Sequence, residues 1–358
     1  MNTLIISDIH FGHPKTPTSF IVSNFHTFFE ENHELFAELD VLFIAGDITD
    51  RLIKIWDPVW KDIFRWYQWL MKYCEDHGII LRILEGTKSH DRGQASIAEG
   101  FERSDKIDFR YIDTMTIETL EGLDVLYVPD DMCLGAEELK KEVQATLKSF
   151  KKTKVDICVL HGLFNYQLPM VNDLSFFDED YMSSITRLFI SIGHVHSFSE
   201  RGKIIAQGSF DRLAHNEEEE KGAVYVDTDT MEWKRVINKN AMTYHTVDVS
   251  NMGSHKDLRK IVKGLREGSK IRLEGPATNA LIQNVKELPE LYPAMEWSVK
   301  KEKEDKVVNI RPVTITTKAI VLNEATLSRE YESHLKDLGY EEEVITDQLK
   351  VLEELLLN

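Results

Sequence analysis

Apolar residues in this chain fall into short, nearly continuous runs at residues 3–7, Val41–Ala45, Ile79–Leu84, Val155–Leu160 and Leu188–Ile192. Runs of this length without alternation predict strands buried on both faces, as in a parallel sheet. Between the first three lie stretches with helical spacing. Residues 19–38 carry Phe20, Phe25, Phe28, Phe29, Leu35 and Phe36, and a second helical stretch spans about 52–77. Strands interleaved with helices predict an α/β sandwich. After residue 105 the pattern turns strand-rich. Arg110–Thr119 and Leu123–Val128 alternate around a Glu121-Gly122 turn, and about 203–206 and 222–227 flank the Gly208-Ser209-Phe210 turn. Residues 136–150 predict a helix with Lys151-Lys152 at the end where cations suit the helix dipole.

Beyond about residue 240 the pattern changes again. A helix near 254–266, a strand at Lys270–Leu273, a helix near 277–287 and a strand around Met295–Val299 predict a small α+β unit. The last stretch, about 326–356, is Leu- and Glu-rich with helical spacing, split near Gly339. The expected organisation is a core at 1–242, a small α+β capping domain at 243–322 and a helical tail at 323–358.

The chemistry sits at the ends of the apolar runs. Asp8-Ile9-His10 follows the first, and Gly46-Asp47-Ile48-Thr49-Asp50 the second. Gly86-Thr87-Lys88-Ser89-His90-Asp91 follows the third, with Leu160-His161-Gly162 and Gly193-His194-Val195-His196 after the last two. Loops at the carboxyl ends of α/β strands converge on one crevice, so residues far apart in sequence meet there. Carboxylate oxygens mixed with imidazole nitrogens suit a pair of divalent transition ions and metal-assisted phosphoester hydrolysis. Asp8 and His10, two apart, can turn to one ion. Asp47 follows a glycine that permits a tight turn and leaves its carboxylate able to bridge two ions. His161, His194 and His196 offer neutral nitrogens.

Composition changes this picture little. The hydrophobic fraction is 42% and the formal net charge is −18. That charge disfavours a broad basic nucleic-acid surface, but it does not exclude DNA as a substrate, because bound cations supply local positive charge. Part of the excess lies in stretches expected to be solvated, such as Glu217–Glu220 and Glu341–Glu343. Cys74, Cys133 and Cys158 stand in apolar contexts without a CxxC spacing, which suits a reducing cytoplasm and no disulfide framework. No apolar stretch approaches the roughly 20 residues of a membrane span, and the first residues predict a strand in place of a signal peptide.

The order DxH, GDxxD, a GNH[DE]-like block, a lone His and GHxH resembles the calcineurin-like metallophosphoesterase superfamily over about residues 1–230. Within it, Asp8-Ile9-His10-Phe11-Gly12 and Gly46-Asp47-Ile48-Thr49-Asp50 resemble the SbcD-type nuclease subunits of double-strand-break repair, phage versions included. The resemblance implies a metallophosphoesterase β-sandwich flanked by helices and two divalent ions, most often Mn²⁺. It implies that Asp8, His10 and His196 hold the first ion, Asp47 bridges, and His161 and His194 hold the second. It gives His90 the role of contacting the phosphate or protonating the leaving oxygen. DNA would be the substrate, hydrolysed in end processing with an SbcC-like SMC-type ATPase gripped by the C-terminal helices.

One block departs from the family. The usual Gly-Asn-His-Asp supplies an Asn carbonyl to the second ion, whereas here three residues, Thr87-Lys88-Ser89, separate Gly86 from His90. Either the Ser89 hydroxyl or a water completes the shell, or the second site binds loosely. Lys88 is an alternative phosphate contact, and Asp91 is expected to orient His90. Other residues have plainer expectations. Asp50 either caps the next helix or shapes the site, His13 lies close enough to touch substrate, and Asp211 and Arg212 are expected at the surface. The segment Leu52–Cys74 holds Trp56, Trp60, Trp66 and Trp69, more apolar surface than one helix stripe needs, so it is either core or a homodimer interface. Two other functions stay open, a phosphatase or small-molecule phosphodiesterase and a metal-binding scaffold without catalysis.

Overall fold

The computed structural model describes residues 1–101, 107–130, 135–167 and 176–300. These lie in one compact unit. The expected helical tail, and Cys133 with it, lie outside the described residues. In chain order the elements begin β1 (Asn2–Ile6), α1 (Thr18–Glu31), α2 (His33–Phe36), β2 (Val41–Ala45), α3 (Trp60–His77), β3 (Ile80–Leu84) and β4 (Phe109–Ile112). Then come β5 (Thr116–Leu120), β6 (Leu123–Val128), α4 (Ala136–Ser149), β7 (Val155–His161), α5 (Glu179–Ile185) and β8 (Thr186–Gly193). The remainder is β9 (Ser199–Arg201), β10 (Ile204–Ala206), β11 (Gly222–Asp227), β12 (Glu232–Ile237), β13 (Tyr244–Asp248), α6 (His255–Val262), β14 (Lys270–Glu274) and β15 (Glu296–Val299), with short helical turns before β15.

The fold is α/β with mixed sheets. One six-stranded sheet runs β12-β11-β1-β2-β3-β4 and a second runs β5-β6-β7-β8-β10-β9. Strands β1 to β4 are parallel, as are β6, β7, β8 and β10, while β11, β12, β5 and β9 add antiparallel edges. Burial of both faces explains the nearly continuous apolar runs. Ile5, Val41 and Phe43 from the first sheet meet Ile157, Val159 and Phe189 from the second in an inner core. Leu4, Ile6, Leu42 and Ile44 point the other way, onto α1 and α3. Cys158, Leu160, Ile190 and Ile192 likewise face α4 and α5. Four layers result: helices, sheet, sheet, helices.

The tight β5–β6 turn falls at Glu121 and Gly122, both with positive φ, the geometry favoured by two-residue hairpins. Strands β13, β14 and β15 form a third, parallel sheet with its own apolar cluster around Val247, Leu258, Ile271 and Leu273. It occupies the expected α+β region, but the helix expected near 277–287 is broken into short turns at Ala280–Gln283 and Val285–Glu287.

The aromatic segment divides differently from the expected helix at 52–77. Helix α3 starts at Trp60, because Asp57 and Pro58 end a turn there: Asp57 N–H donates to the Lys54 carbonyl and Val59 N–H to the Asp57 carboxylate. Trp60, Trp66 and Tyr67 are core, with Trp66 edge-on to Phe11 and Phe25. The exposed apolar surface lies before the helix, at Leu52, Ile55 and Trp56, the last 77% accessible. Cys74 and Cys158 are buried free thiols. Among the described residues no helix is long and apolar enough to cross a membrane.

Candidate metal centre

Five parallel strands, β1, β2 and β3 of one sheet and β7 and β8 of the other, deliver their carboxyl ends to one mouth. The loops are knitted there by backbone bonds. Asp8 N–H donates to the Gly46 carbonyl at 3.0 Å and Ile9 N–H to the Asp47 carbonyl at 2.8 Å. His194 N–H crosses between sheets to the Asp8 carboxylate at 2.9 Å. Asp8, His10, Asp47 and His194 all have positive φ, a left-handed backbone that non-glycine residues adopt only where the surroundings enforce it. Packing is close enough to demand glycines. A Cβ on Gly46 would lie 2.2 Å from His161 Nδ1, and one on Gly86 2.1 Å from the Asp47 nitrogen.

The predicted ligands gather into overlapping groups. Asp8, His10 and His196 form one, Asp47, His161 and His194 another, and Asp47 is shared with His10 and His90 in a third, each able to hold a metal ion. In the first, the Nε2 atoms of His10 and His196 face one another at 2.9 Å. The His196 Nδ1–H donates to Glu217 at 2.8 Å, so in its neutral form Nε2 presents a lone pair to that gap. Two nitrogens bound about 2.1 Å from one cation at right angles lie about 3 Å apart, so the gap fits a cation. Ser7 Oγ and His194 N–H both donate to the Asp8 carboxylate, fixing its plane.

The second group is deeper. His161 is fully buried, and its Nδ1–H donates to the Ala45 carbonyl at 2.7 Å, turning Nε2 toward Asp47 Oδ2 at 3.2 Å. Asp47 Oδ2 also lies 3.9 Å from His10 Nε2, so this one carboxylate faces both groups. Thr87 closes the second group. Its hydroxyl is 3.2 Å from Asp47 Oδ2, 3.3 Å from His161 Nε2 and 3.2 Å from His194 Nδ1. Ser89, expected as the ligand before His90, is instead exposed. The turn at Thr87–Asp91, closed by His90 and Asp91 N–H on the Thr87 carbonyl, carries Ser89 outward and leaves the first residue after Gly86 at the site.

His90 lies in the mouth, edge-on to His10 with ring centroids 4.8 Å apart. Its partner is not the one expected. The Nδ1–H donates to the Asp50 main-chain carbonyl at 2.6 Å, whereas the Asp91 carboxylate accepts from Thr49 N–H at 2.8 Å and Gly86 N–H at 2.9 Å. Asp91 therefore ties the β2 and β3 loops together and supports His90 only through the backbone. Asp50 shapes the site in a second way, with Oδ1 3.5 Å from His10 Nδ1. Gln94 braces this corner, donating to the Arg51 carbonyl and accepting from Ile53 N–H.

Charge in the mouth is strongly coupled. Burial opposes a charged Asp47, but His161, then His10 and His90, outweigh it and hold the carboxyl well below the usual range. Burial likewise opposes charge on His161, and Asp47 beside it overcomes that, raising it to about 10. His194 goes the opposite way, down to about 4, through burial and the neighbouring His161. Asp91 is pushed up to about 8 by burial, then by Asp47 and Glu85.

Several residues depart from their sequence expectation. Glu217, expected in solvent, is buried against His196. Asp211, expected at the surface, is fully buried and accepts from Asn24, Met242 N–H and Arg212 N–H. Arg212 donates to the Glu219 and Met242 carbonyls, tying this loop to the start of the third sheet. His13 caps a local turn, accepting from Lys15 and Thr16 N–H. Nothing local marks the contacts of Glu217 with His196 or of Asp211 with Asn24 and Met242, because those partners come from distant loops.

No family model and no curated protein matches the chain. Among solved structures, one crystal structure aligns with 65% of this chain and 97% of its own at 12% identity and a TM-score of 0.41.

Proposed function

We propose that this protein is a metal-dependent phosphodiesterase of the calcineurin-like metallophosphoesterase type, acting on DNA as an SbcD-like nuclease. The observation that carries the reading is the pair of ligand groups joined at Asp47, with His90 beside them. When bound, two divalent ions, Mn²⁺ by the family resemblance, would supply a water acidified to near neutral pH and neutralise phosphoryl charge. Asp8, His10 and His196 would hold one ion, His161 and His194 the other, and Asp47 both.

The remaining steps belong to side chains. Ser7 and His194 N–H keep the Asp8 carboxylate in one orientation, and the Ala45 carbonyl keeps His161 in one tautomer. The Asp50 carbonyl fixes the His90 ring, so its Nε2 is the atom left to hold a proton for the leaving oxygen. Nothing in this chemistry selects DNA over a small phosphodiester; the resemblance of the Asp8 and Asp47 blocks to SbcD-type subunits favours DNA. A homodimer and an SMC-type ATPase bound through 323–358 complete that proposal. Trp60 is consumed by the core, so a dimer would use the exposed Leu52, Ile55 and Trp56.

The test is hydrolysis of a labelled linear duplex beside an aryl phosphodiester, with Mn²⁺ and with EDTA. Metal-dependent shortening of the duplex is expected, and His90→Asn should lower kcat by about 10²–10⁴ while Mn²⁺ still binds. Turnover of the small ester alone would point to the phosphodiesterase. Absence of any metal-dependent hydrolysis would leave the non-catalytic scaffold.

A further inference from the structure

Glu217 belongs to none of the three ligand groups and begins a run of four glutamates, yet it is 8% accessible. Its Oε1 accepts the His196 Nδ1–H at 2.8 Å, and its Oε2 accepts from Leu213 N–H at 3.2 Å. Lys221, 2% accessible, stands behind it with Nζ 3.7 Å from Oε2. That ammonium also donates to Glu219 Oε1 and to the main-chain carbonyl of His196, both at 2.8 Å. The same carbonyl accepts from Ser209 N–H at 3.0 Å. Gly208 lets this loop pass: its φ is +73°, and a Cβ there would lie 2.6 Å from the His196 carbonyl oxygen. His196 is thus gripped at its ring by Glu217 and at its backbone by Lys221 and Ser209.

We propose that Glu217, seated by Lys221, is a positioning residue for the metal centre, holding His196 as the Nδ1–H tautomer with Nε2 presented to the ion. The inference rests on the metal-centre reading above. A carboxylate only accepts, so it dictates which imidazole nitrogen carries the proton. Leu213 N–H and Lys221 both serve Oε2, which leaves Oε1 for the ring. Its direction toward His196 therefore acts on the ligand. Such a charged acceptor also makes the imidazole a stronger donor than a carbonyl does, and loss of such partners costs about 10–100-fold in metal affinity. The equivalent outer bond of His161 goes to a neutral carbonyl, Ala45. Of these two rings, His196 is the one with a charged outer partner.

The experiment is Mn²⁺ titration of the full chain, read by the electron-spin resonance of free Mn²⁺, for the wild type, Glu217→Gln and Glu217→Ala. Melting temperatures in EDTA and imidazole nitrogen NMR of the metal-free proteins accompany it. Glu217→Gln keeps an acceptor without charge and should weaken one class of site by about 10-fold, while Glu217→Ala should weaken it by about 100-fold. His196 should be the Nδ1–H tautomer in the wild type and a mixture in Glu217→Ala. Unchanged Mn²⁺ affinity in both variants would overturn the inference, and so would a loss confined to the melting temperature in EDTA. Wild-type protein that binds no Mn²⁺ would overturn the metal-centre reading itself, a distinct failure.

Discussion

The two ligand groups of the mouth use the same residue types but are held in different ways. The His161 group is set by the framework: His161 closes β7, its outer nitrogen rests on the end of β2 at Ala45, and Gly46, Gly86 and Gly193 press against it or against Asp47. The His196 group is set by a loop that folds back from residues 208–221 and brings Glu217 and Lys221. Strand ends in a close-packed core have little freedom, so the first arrangement is rigid by packing. The returning loop is anchored by buried Phe210 and Leu213, but it reaches His196 through a few polar bonds, so the second can be tuned by single side chains. The difference teaches that one candidate metal site can combine a scaffold-built half with a loop-built half, meeting at Asp47.

The largest expected effect removes the meeting point. Asp47→Asn should reduce hydrolysis of an aryl phosphodiester by on the order of 10²–10³, the scale for losing one central electrostatic contact, and weaken both classes of Mn²⁺ site in the same titration. A variant that lost only one class would show that the halves do not share this carboxylate. Next come His161→Ala and His196→Ala, each expected to abolish one class of Mn²⁺ binding and leave the other. Loss of both by either variant would mean that the halves bind only together. Removal of metal should matter as well: Mn²⁺ at 100 times Kd should stabilise the wild type by about 2.7 kcal/mol per occupied site over EDTA, and each single variant by less.

A steric probe separates framework from loop. In Gly86→Ala the new Cβ meets the Asp47 backbone nitrogen and carboxylate, which cannot retreat within the strand-end packing. Destabilisation by about 1–3 kcal/mol is expected in urea unfolding, with the His161 class of Mn²⁺ site weakened more than the His196 class because Thr87, next in the chain, closes the His161 group. Equal weakening would remove the distinction between the halves.

The smallest expected effect concerns the footing of the loop. Asp211 anchors the segment that offers Leu213 N–H to Glu217, and burial raises its carboxyl to about 6. Because the folded value lies above the unfolded one, about 3.8, its contribution is full below that pH and is lost as pH rises through about 6. Asp211→Asn removes this titration, so its melting temperature relative to the wild type should climb between pH 4 and 7. A constant difference would show that Asp211 does not titrate there.

Much of the site was legible before any tertiary contact was known. Asp8, His10, Asp47, His161, His194 and His196 each stand at or just past the end of an apolar run, and His90 follows a third run by a turn. The departures from the sequence pattern are of a different kind. Ser89 was expected at the ion because it precedes His90, but the turn geometry at Thr87–Asp91 decides which hydroxyl faces inward, and it is Thr87. Asp91 was expected to orient His90, but the carbonyl of Asp50, forty residues away, does so. A main-chain acceptor carries no residue identity, so sequence has no mark for it. Glu217 was hidden in an acidic run whose neighbour Glu220 is indeed exposed.

From the sequence alone came the α/β layering, the strand ends and the Asp and His residues that gather at the mouth. Each depends on local alternation and on side-chain chemistry carried at a fixed place in the chain. Which outer nitrogen meets which acceptor, which glutamate is buried and how the two halves are braced depended on tertiary structure. Those choices are made between segments up to more than a hundred residues apart, as with His161 and Ala45, and only the folded packing brings such partners within hydrogen-bond reach.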